Sequence, residues 1–186
     1  MFKALKISFL FTAVLWAVRI FDTAHPSDLN QFGILPRIPE SLPGILFSPL
    51  LHADFLHLIS NTFPVFFLLF VVLYFYEKSA FPVFLTVWIL GGLLVWSFGR
   101  DAVHIGASGL IYGFASFLVF SGIFRKNIKS ILIAVLIVGM YGGMVYGILP
   151  LQSWISWEGH LAGAAAGAVS AYILRNKKQI TGSEQS

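Results

Sequence analysis

A serine, two histidines and an asparagine stand near the beginnings of long apolar runs in this chain. They are Ser108 in the stretch HIGASG, His160 in WEGHLAG, and His57 with Asn61 in HADFLHLISN. Polar groups are expensive in hydrocarbon, so they usually mark a functional cavity. A hydroxyl and an imidazole are also the groups that nucleophilic catalysis needs. If the fold brings them together, the sequence predicts a serine nucleophile with a histidine base.

The surroundings of Ser108 suit such a nucleophile. Gly106 and Gly109 flank it, and glycine lets backbone or substrate approach closely because it has no Cβ. The start of a helix also offers backbone N–H groups that can stabilise an oxyanion. Glycine and serine are, however, ordinary packing residues in membrane helices, so this motif alone does not establish catalysis.

His160 begins a stripe of small residues. Gly163 and Gly167 follow it at i+3 and i+7 on one face of the predicted helix, which lets a neighbouring helix pack closely. If this face meets the face with Gly109, Ser108 and His160 can lie at a hydrogen-bond distance of about 2.6–3.2 Å. The alternative is a packing stripe whose histidine only reaches the membrane interface.

His57 and Asn61 are spaced i, i+4 and therefore point to one side of a helix. Asp54 is placed to cap that helix, with His57 at the third helical position. Both side chains can donate to a developing oxyanion. The alternative is a structural hydrogen-bond pair between helices, worth about 1 kcal/mol. His52 precedes the helix and is expected to order the loop.

Two further residues near Ser108 have candidate roles. Tyr112 lies one turn further on and could stack against the ring of His160, although most aromatic residues in membrane helices only pack. His104 is a rival base, but it precedes the predicted start of the helix. The histidines lack the spacing of catalytic metal sites. We therefore predict neither a metal site nor a cofactor.

Composition assigns the chain to the membrane. Of its 186 residues, 58% are hydrophobic and 11% are charged, whereas soluble domains have about 25% charged residues. The absence of cysteine excludes disulfides, thiolate zinc sites and a cysteine nucleophile. The basic residues form short clusters at the ends of apolar segments, which is typical of membrane orientation and not of nucleic-acid binding.

Apolar runs of spanning length predict an all-α, polytopic membrane protein. The six predicted transmembrane helices cover about 4–21, 55–76, 81–99, 106–124, 130–149 and 158–174. The connector 22–54 holds five of the eight prolines and is predicted to be irregular, with a short interfacial helix. Residues 1–176 would form one six-helix core, and residues 177–186 a disordered cytoplasmic tail.

Positive charge predicts the orientation of these spans. Arg37 and Arg100 fall on one side, and Arg19 is ambiguous. The other side, shared by both termini, has nine basic residues: Lys3, Lys6, Lys78, Arg125, Lys126, Lys129, Arg175, Lys177 and Lys178. Both termini are therefore predicted to be cytoplasmic. Spans two, four and six then begin on the outer side, which puts all four polar residues at one shallow depth.

Together these motifs resemble the rhomboid family of intramembrane serine proteases. The matching pieces are His52-x₄-His57-x₃-Asn61, Gly106-Ala-Ser-Gly109 with Tyr112, His160-x₂-Gly163-x₃-Gly167, and Glu77-Lys78. The resemblance covers about residues 45–175. The sequence departs from the family in the first loop, where Leu42-Pro-Gly44 replaces the common Trp-Arg pair. The resemblance implies a rhomboid-like bundle with a Ser108–His160 dyad, and an oxyanion held by Asn61, His57 and the Ser108 N–H.

The resemblance also implies a substrate and a place. Family members cleave transmembrane helices of other membrane proteins near the outer face, through a lateral gate made by span five and the following loop. The partners would be such substrates and the lipid bilayer, with no nucleic acid, and the default location is a bacterial inner membrane. Two alternatives are a catalytically inactive relative that binds membrane-protein clients, and a small transporter or channel. Intact Ser108 and His160 argue against the first, and polar residues confined to one half argue against the second.

Overall fold

The fold is known from a computed structural model that describes residues 1–25, 28–152 and 154–177. This described part contains seven α-helices and no strand, apart from one isolated β-bridge between Ile34 and His104. The helices are α1 (Phe2–Ala24), α2 (Gly44–Phe47), α3 (Phe55–Phe75), α4 (Glu77–Phe98), α5 (Ser108–Arg125), α6 (Ile128–Tyr141) and α7 (Trp157–Ile173). The predicted all-α polytopic fold is confirmed.

Most of the long helices have the length and composition of a membrane span. By length and composition, α1, α3, α4, α5 and the segment Ile128–Ile148 can each cross a bilayer. Helix α7 has 17 residues, which is at the lower end of the range for a spanning helix. The count of six spans stays a prediction. Of the predicted disordered tail, residues 178–186 lie outside the described residues.

Two boundaries differ from the prediction. Helix α4 begins at Glu77 and not near residue 81. The charged residues that suggest a break between spans therefore form its first turn. An acidic residue at a helix N-terminus interacts favourably with the helix dipole, which explains why the helix includes Glu77. The run predicted at 130–149 is also divided, because α6 ends at Tyr141 and a 3₁₀ segment, Gly142–Ile148, follows. Two adjacent glycines at this point weaken the α-helix.

Helix α5 lies at the centre of the bundle and packs against α3, α4, α6 and α7. Its aromatic residues Phe114 and Phe117 are fully buried. The contact with α7 is close enough to need glycine: a Cβ on Gly163 would lie 2.0 Å from the carbonyl oxygen of Gly109, and one on Gly167 would lie 2.0 Å from that of Gly113. The glycine faces predicted on the two helices therefore do meet, backbone to backbone.

The connector between α1 and α3 folds over the end of α4 that lies near Ser108. Its described residues form only short helical pieces, including the four-residue α2. The indole N–H of Trp88 in α4 donates to the carbonyl of Ile45 at 2.9 Å. The β-bridge of Ile34 then joins the connector to the loop that precedes α5. The connector thus packs beside the loop that positions Ser108.

Candidate active site

Ser108 is the first residue of α5, and the loop before it requires a glycine. Gly106 has φ +111°, a conformation that other residues rarely adopt. A Cβ on Gly106 would also lie 2.7 Å from Cε1 of His57. The turn therefore brings α3 and the start of α5 into contact. At a helix start, the N–H of Ser108 has no intrahelical acceptor and can serve a ligand.

His160 lies in the first turn of α7 and faces Ser108. The helix begins at Trp157, and the Ser156 hydroxyl oxygen accepts a hydrogen bond from the Gly159 N–H at 3.2 Å. The ring of His160 is buried, and its Nε2 lies 2.9 Å from Oγ of Ser108. This distance is within the range expected of a nucleophile and its base.

The other ring nitrogen of His160 determines which tautomer faces the serine. Nδ1 lies 2.8 Å from the carbonyl oxygen of Gly147, in the 3₁₀ segment. A carbonyl can only accept, so Nδ1 holds the proton and the lone pair of Nε2 points to Ser108. In a serine protease triad a carboxylate orients the histidine in this way. Here a backbone carbonyl, which no side-chain motif indicates, occupies that position.

Tyr112 stacks on one face of the His160 ring. The two ring centroids are 4.1 Å apart and the planes are nearly parallel, at 9°. The tyrosine hydroxyl donates to the carbonyl of Met144 at 2.8 Å. The stacked pair is therefore bonded twice to the segment Gly142–Ile148, once through each ring.

His57 and Asn61 lie beside the turn that precedes Ser108. Asp54 caps α3 and accepts from the backbone N–H of His57 at 2.7 Å, as the sequence predicts. Asn61 is buried, and its amide nitrogen donates to the His57 carbonyl at 2.9 Å. An amide nitrogen has two hydrogens, so one is not used by this bond. The His57 ring contacts Gly106, two residues before the serine.

His52 supports His57 from the loop. The two rings meet edge to face, with centroids 5.0 Å apart, and His52 is 1% exposed. Burial, together with the nearby charge of His57 when protonated, lowers the pKa of His52 to about 4. His52 is therefore neutral at neutral pH and acts as a packing residue behind the site.

The structure places His104 at the base of α7 and not at Ser108. Its Nδ1 lies 2.6 Å from the hydroxyl of Ser156, and its Nε2 lies 3.1 Å from the carbonyl of Arg100. Burial lowers the pKa of His104. Both ring nitrogens are thus engaged with groups that hold the start of α7, which removes the geometric basis for His104 as the rival base.

An ion pair that the sequence analysis missed reinforces this support. The carboxylate of Glu158 is 8% exposed and lies 3.6 Å from Nε of Arg100. Glu158 is two residues before His160, whereas Arg100 follows α4. The sequence shows Arg100 only as a charge between spans. Its pairing depends on how α4 and α7 pack, so no local pattern could have indicated it.

Comparison with known proteins identifies the family. A family model described as Rhomboid domain matches residues 39–177. An uncharacterized protein of Mycobacterium tuberculosis is 38% identical over 173 residues, which cover 88% of this chain and 72% of that protein. An uncharacterized protein of Mycobacterium leprae is 36% identical, with 88% of this chain and 68% of the relative covered. The chain belongs to the rhomboid family.

Proposed function

We propose that this protein is an intramembrane serine endopeptidase that cleaves transmembrane segments of other membrane proteins. The observation that supports it most directly is the chain of contacts from Ser108 Oγ to His160 Nε2, and from His160 Nδ1 to the Gly147 carbonyl. A serine whose hydroxyl faces the free nitrogen of an oriented imidazole is an activated nucleophile.

The chemistry proceeds in two halves. Ser108 Oγ attacks the scissile carbonyl while His160 Nε2 accepts its proton. The tetrahedral intermediate collapses, the peptide C–N bond breaks, and His160 gives the proton to the leaving amine. Water then attacks the acyl-serine ester, again with His160 as base, and releases the new carboxyl end and free Ser108.

The oxyanion of each tetrahedral intermediate needs donors beside Ser108. The candidates are the Ser108 backbone N–H at the start of α5, the second amide hydrogen of Asn61, and the ring of His57. Removal of one such donor typically lowers kcat by about 10²–10³. Asn61 and His57 belong to α3, so this proposal needs the contact between α3 and the turn at Gly106.

Water for the second half has a place near the serine. A cavity of about 50 Å³ lies between α4, α5 and α7, and the residues that line it include Ser108, His104, Ser156 and Ser48. A space of this size with several polar partners can hold a water molecule. A protease that acts in a membrane needs such a site because the surrounding lipid supplies no water.

The proposed placement in the membrane follows from charge. Nine basic residues on the side of the termini favour a cytoplasmic location for that side, so the active site would open to the outer side. We take a bacterial inner membrane as the membrane, since the relatives are mycobacterial. A substrate helix would enter from the lipid. The segment Ile128–Ile148 is the least buried of the five long apolar helices, which makes it the element most easily displaced for such entry.

The test is labelling of the purified full chain with a fluorophosphonate, which reacts with activated serines. We expect labelling of the wild type and its loss in both Ser108→Ala and His160→Ala. Ser116→Ala is the matched control, since Ser116 lies on the same helix two turns away and bonds to the Ala164 carbonyl. His104→Ala should keep more labelling than His160→Ala, because His104 supports the start of α7 and does not contact the Ser108 hydroxyl.

Two results would contradict the proposal. Labelling that persists in Ser108→Ala would assign the reactive serine elsewhere. A wild type that melts cooperatively, yet neither labels nor cleaves a transmembrane peptide, would favour the alternative function, a relative that binds membrane-protein clients without cleaving them.

A further inference from the structure

A second cavity lies at the end of the bundle away from Ser108. It has a volume of about 300 Å³ and is placed where α3 and α5 end, α6 begins and the chain leaves α7. Four basic residues line it: Arg125, Lys129, Arg175 and Lys177. They come from three separate elements, so only the folded bundle brings their charges together.

No acidic residue lines this cavity within the described part of the chain. None of the ion pairs among the described residues includes Arg125, Lys129 or Arg175. Like charges that converge on a concave, partly apolar space repel one another and raise the local positive potential. An anion from outside the chain would relieve that repulsion.

Arg125 gives the cavity a fixed wall. Its guanidinium donates to the carbonyls of Leu174 at 2.7 Å and Lys177 at 2.9 Å, and its Cζ lies 5.2 Å from the centre of the Tyr76 ring. The end of α5 is thereby joined to the chain that leaves α7. Lys129 lies opposite, with its ammonium 5.0 Å from the centre of the Phe75 ring. Arg125, which is half-buried, and Lys129, which is exposed, are therefore each positioned by a contact with the fold.

We propose that this cavity binds the phosphate group of an anionic phospholipid. Arginine and lysine side chains bind phosphate groups, and basic pockets between helices on the cytoplasmic side bind the headgroups of anionic lipids. Nothing in this proposal depends on the protease chemistry, since Ser108 lies at the other end of α5.

The adjoining surface favours a lipid over a soluble phosphate. Phe75 and Lys129 also line a larger cavity of about 640 Å³ between α1, α3 and α4. Its walls are mostly apolar and include Phe11 and Phe84. A phospholipid with its phosphate among the four cations would have an apolar cleft next to it for an acyl chain, whereas a soluble phosphate would leave that cleft unused.

The basic residues of this cavity also contribute to membrane orientation. Orientation and lipid binding can be told apart by where the charges lie. Orientation depends on the number of basic residues on a face, whereas a binding site depends on which residues line it. The double variant Lys129→Gln/Arg175→Gln removes two charges from the cavity. The control Lys6→Gln/Lys78→Gln removes two exposed charges, predicted on the same side, from residues that do not line it.

The measurement is native mass spectrometry of the detergent-purified full chain titrated with dioleoyl phosphatidylglycerol, and separately with dioleoyl phosphatidylcholine. We expect the wild type to prefer phosphatidylglycerol. The cavity variant should lose roughly 30-fold in affinity for it, from two cations near a lipid surface. The control variant should keep most of the preference. Lys129→Arg/Arg175→Lys preserves both charges and should bind, which separates loss of charge from loss of fold.

Three outcomes would overturn the proposal. The first is an equal loss in the cavity and control variants, which would assign the effect to the charge of the whole face. The second is the absence of any preference for phosphatidylglycerol in the wild type. The third is that inorganic phosphate, at the lipid's concentration, abolishes phosphatidylglycerol binding or raises the melting temperature as much as the lipid does, which would assign the site to a soluble anion.

Discussion

The Nδ1 of His160 lies 2.8 Å from the carbonyl oxygen of Gly147, so the proposed base is oriented by the backbone of another element. Gly147 belongs to the 3₁₀ segment that follows α6. A neutral carbonyl stabilises an imidazolium less than a carboxylate does, but it selects the same tautomer. The position of this segment therefore decides whether Nε2 faces Ser108.

Gly147→Ala should disturb this contact. A Cβ at this position would lie 1.9 Å from Oη of Tyr112 and 3.2 Å from Nδ1 of His160. The segment must shift, and a displacement of about 1 Å near reacting groups can lower the rate by about 10²-fold. We expect kcat/KM for a fluorogenic transmembrane peptide to fall by that factor.

Gly143→Ala is the matched control for Gly147→Ala. It makes the same change in the same 3₁₀ segment, but its Cβ would meet no atom within 4 Å. Its cleavage rate should stay within a factor of about two or three of the wild type, as for other surface substitutions. Equal losses in the two variants would mean that the segment does not orient His160.

Two substitutions of Tyr112 separate its stacking from its hydrogen bond. Tyr112→Phe keeps the ring on His160 and removes the bond to the Met144 carbonyl. A typical hydrogen bond contributes about 1 kcal/mol, so the rate should fall by about fivefold at most. Tyr112→Ala removes the ring as well and should lower the rate at least tenfold further. Steady-state cleavage measures both, and similar rates for the two variants would show that stacking does not hold the base.

The close contact of α5 and α7 should make their glycines intolerant of substitution. Gly163→Ala would put a Cβ 2.0 Å from the carbonyl oxygen of Gly109, so the helices must separate. Overpacking of this kind costs about 1–3 kcal/mol, which corresponds to a fall of roughly 2–12 °C in Tm for a chain of this size.

The control for Gly163→Ala is Gly139→Ala in α6, where a Cβ would meet no atom within 4 Å. Alanine has the higher helix propensity, so the melting temperature of this variant should be unchanged or slightly higher. If thermal melting in detergent gave the same Tm for both variants, the close approach of α5 and α7 would not limit stability.

The proximity of Ser108 and His160 could be predicted because it follows from two patterns in the sequence. Alternate spans begin on one side of the membrane, and glycines on both helices allow a close approach. The Gly147 contact could not be predicted, because every residue has a backbone carbonyl and no residue type marks the one that binds. The sequence also predicts one continuous helix where the 3₁₀ segment lies. The role of His104 was also hidden: its partners, Ser156 and the Arg100 carbonyl, are set by packing between elements.

The burial of His52 should make the stability of the protein depend on pH. Its pKa is lowered from 6.5 to about 4 in the folded chain, so the unfolded chain binds the proton more readily. As the pH falls below 6.5, protonation favours the unfolded state, and the loss is complete near pH 4. A shift of this size corresponds to about 3 kcal/mol.

His52→Gln removes this titration, whatever the substitution itself costs in packing. The free energy of unfolding of the wild type should therefore fall between pH 7.5 and pH 4.5 by about 2–3 kcal/mol more than that of the variant. Denaturant titrations in detergent at the two pH values measure the difference. The prediction would be wrong if the free energy of unfolding of His52→Gln fell as much as that of the wild type. Protonation of His52 would then not contribute to the loss of stability between these pH values.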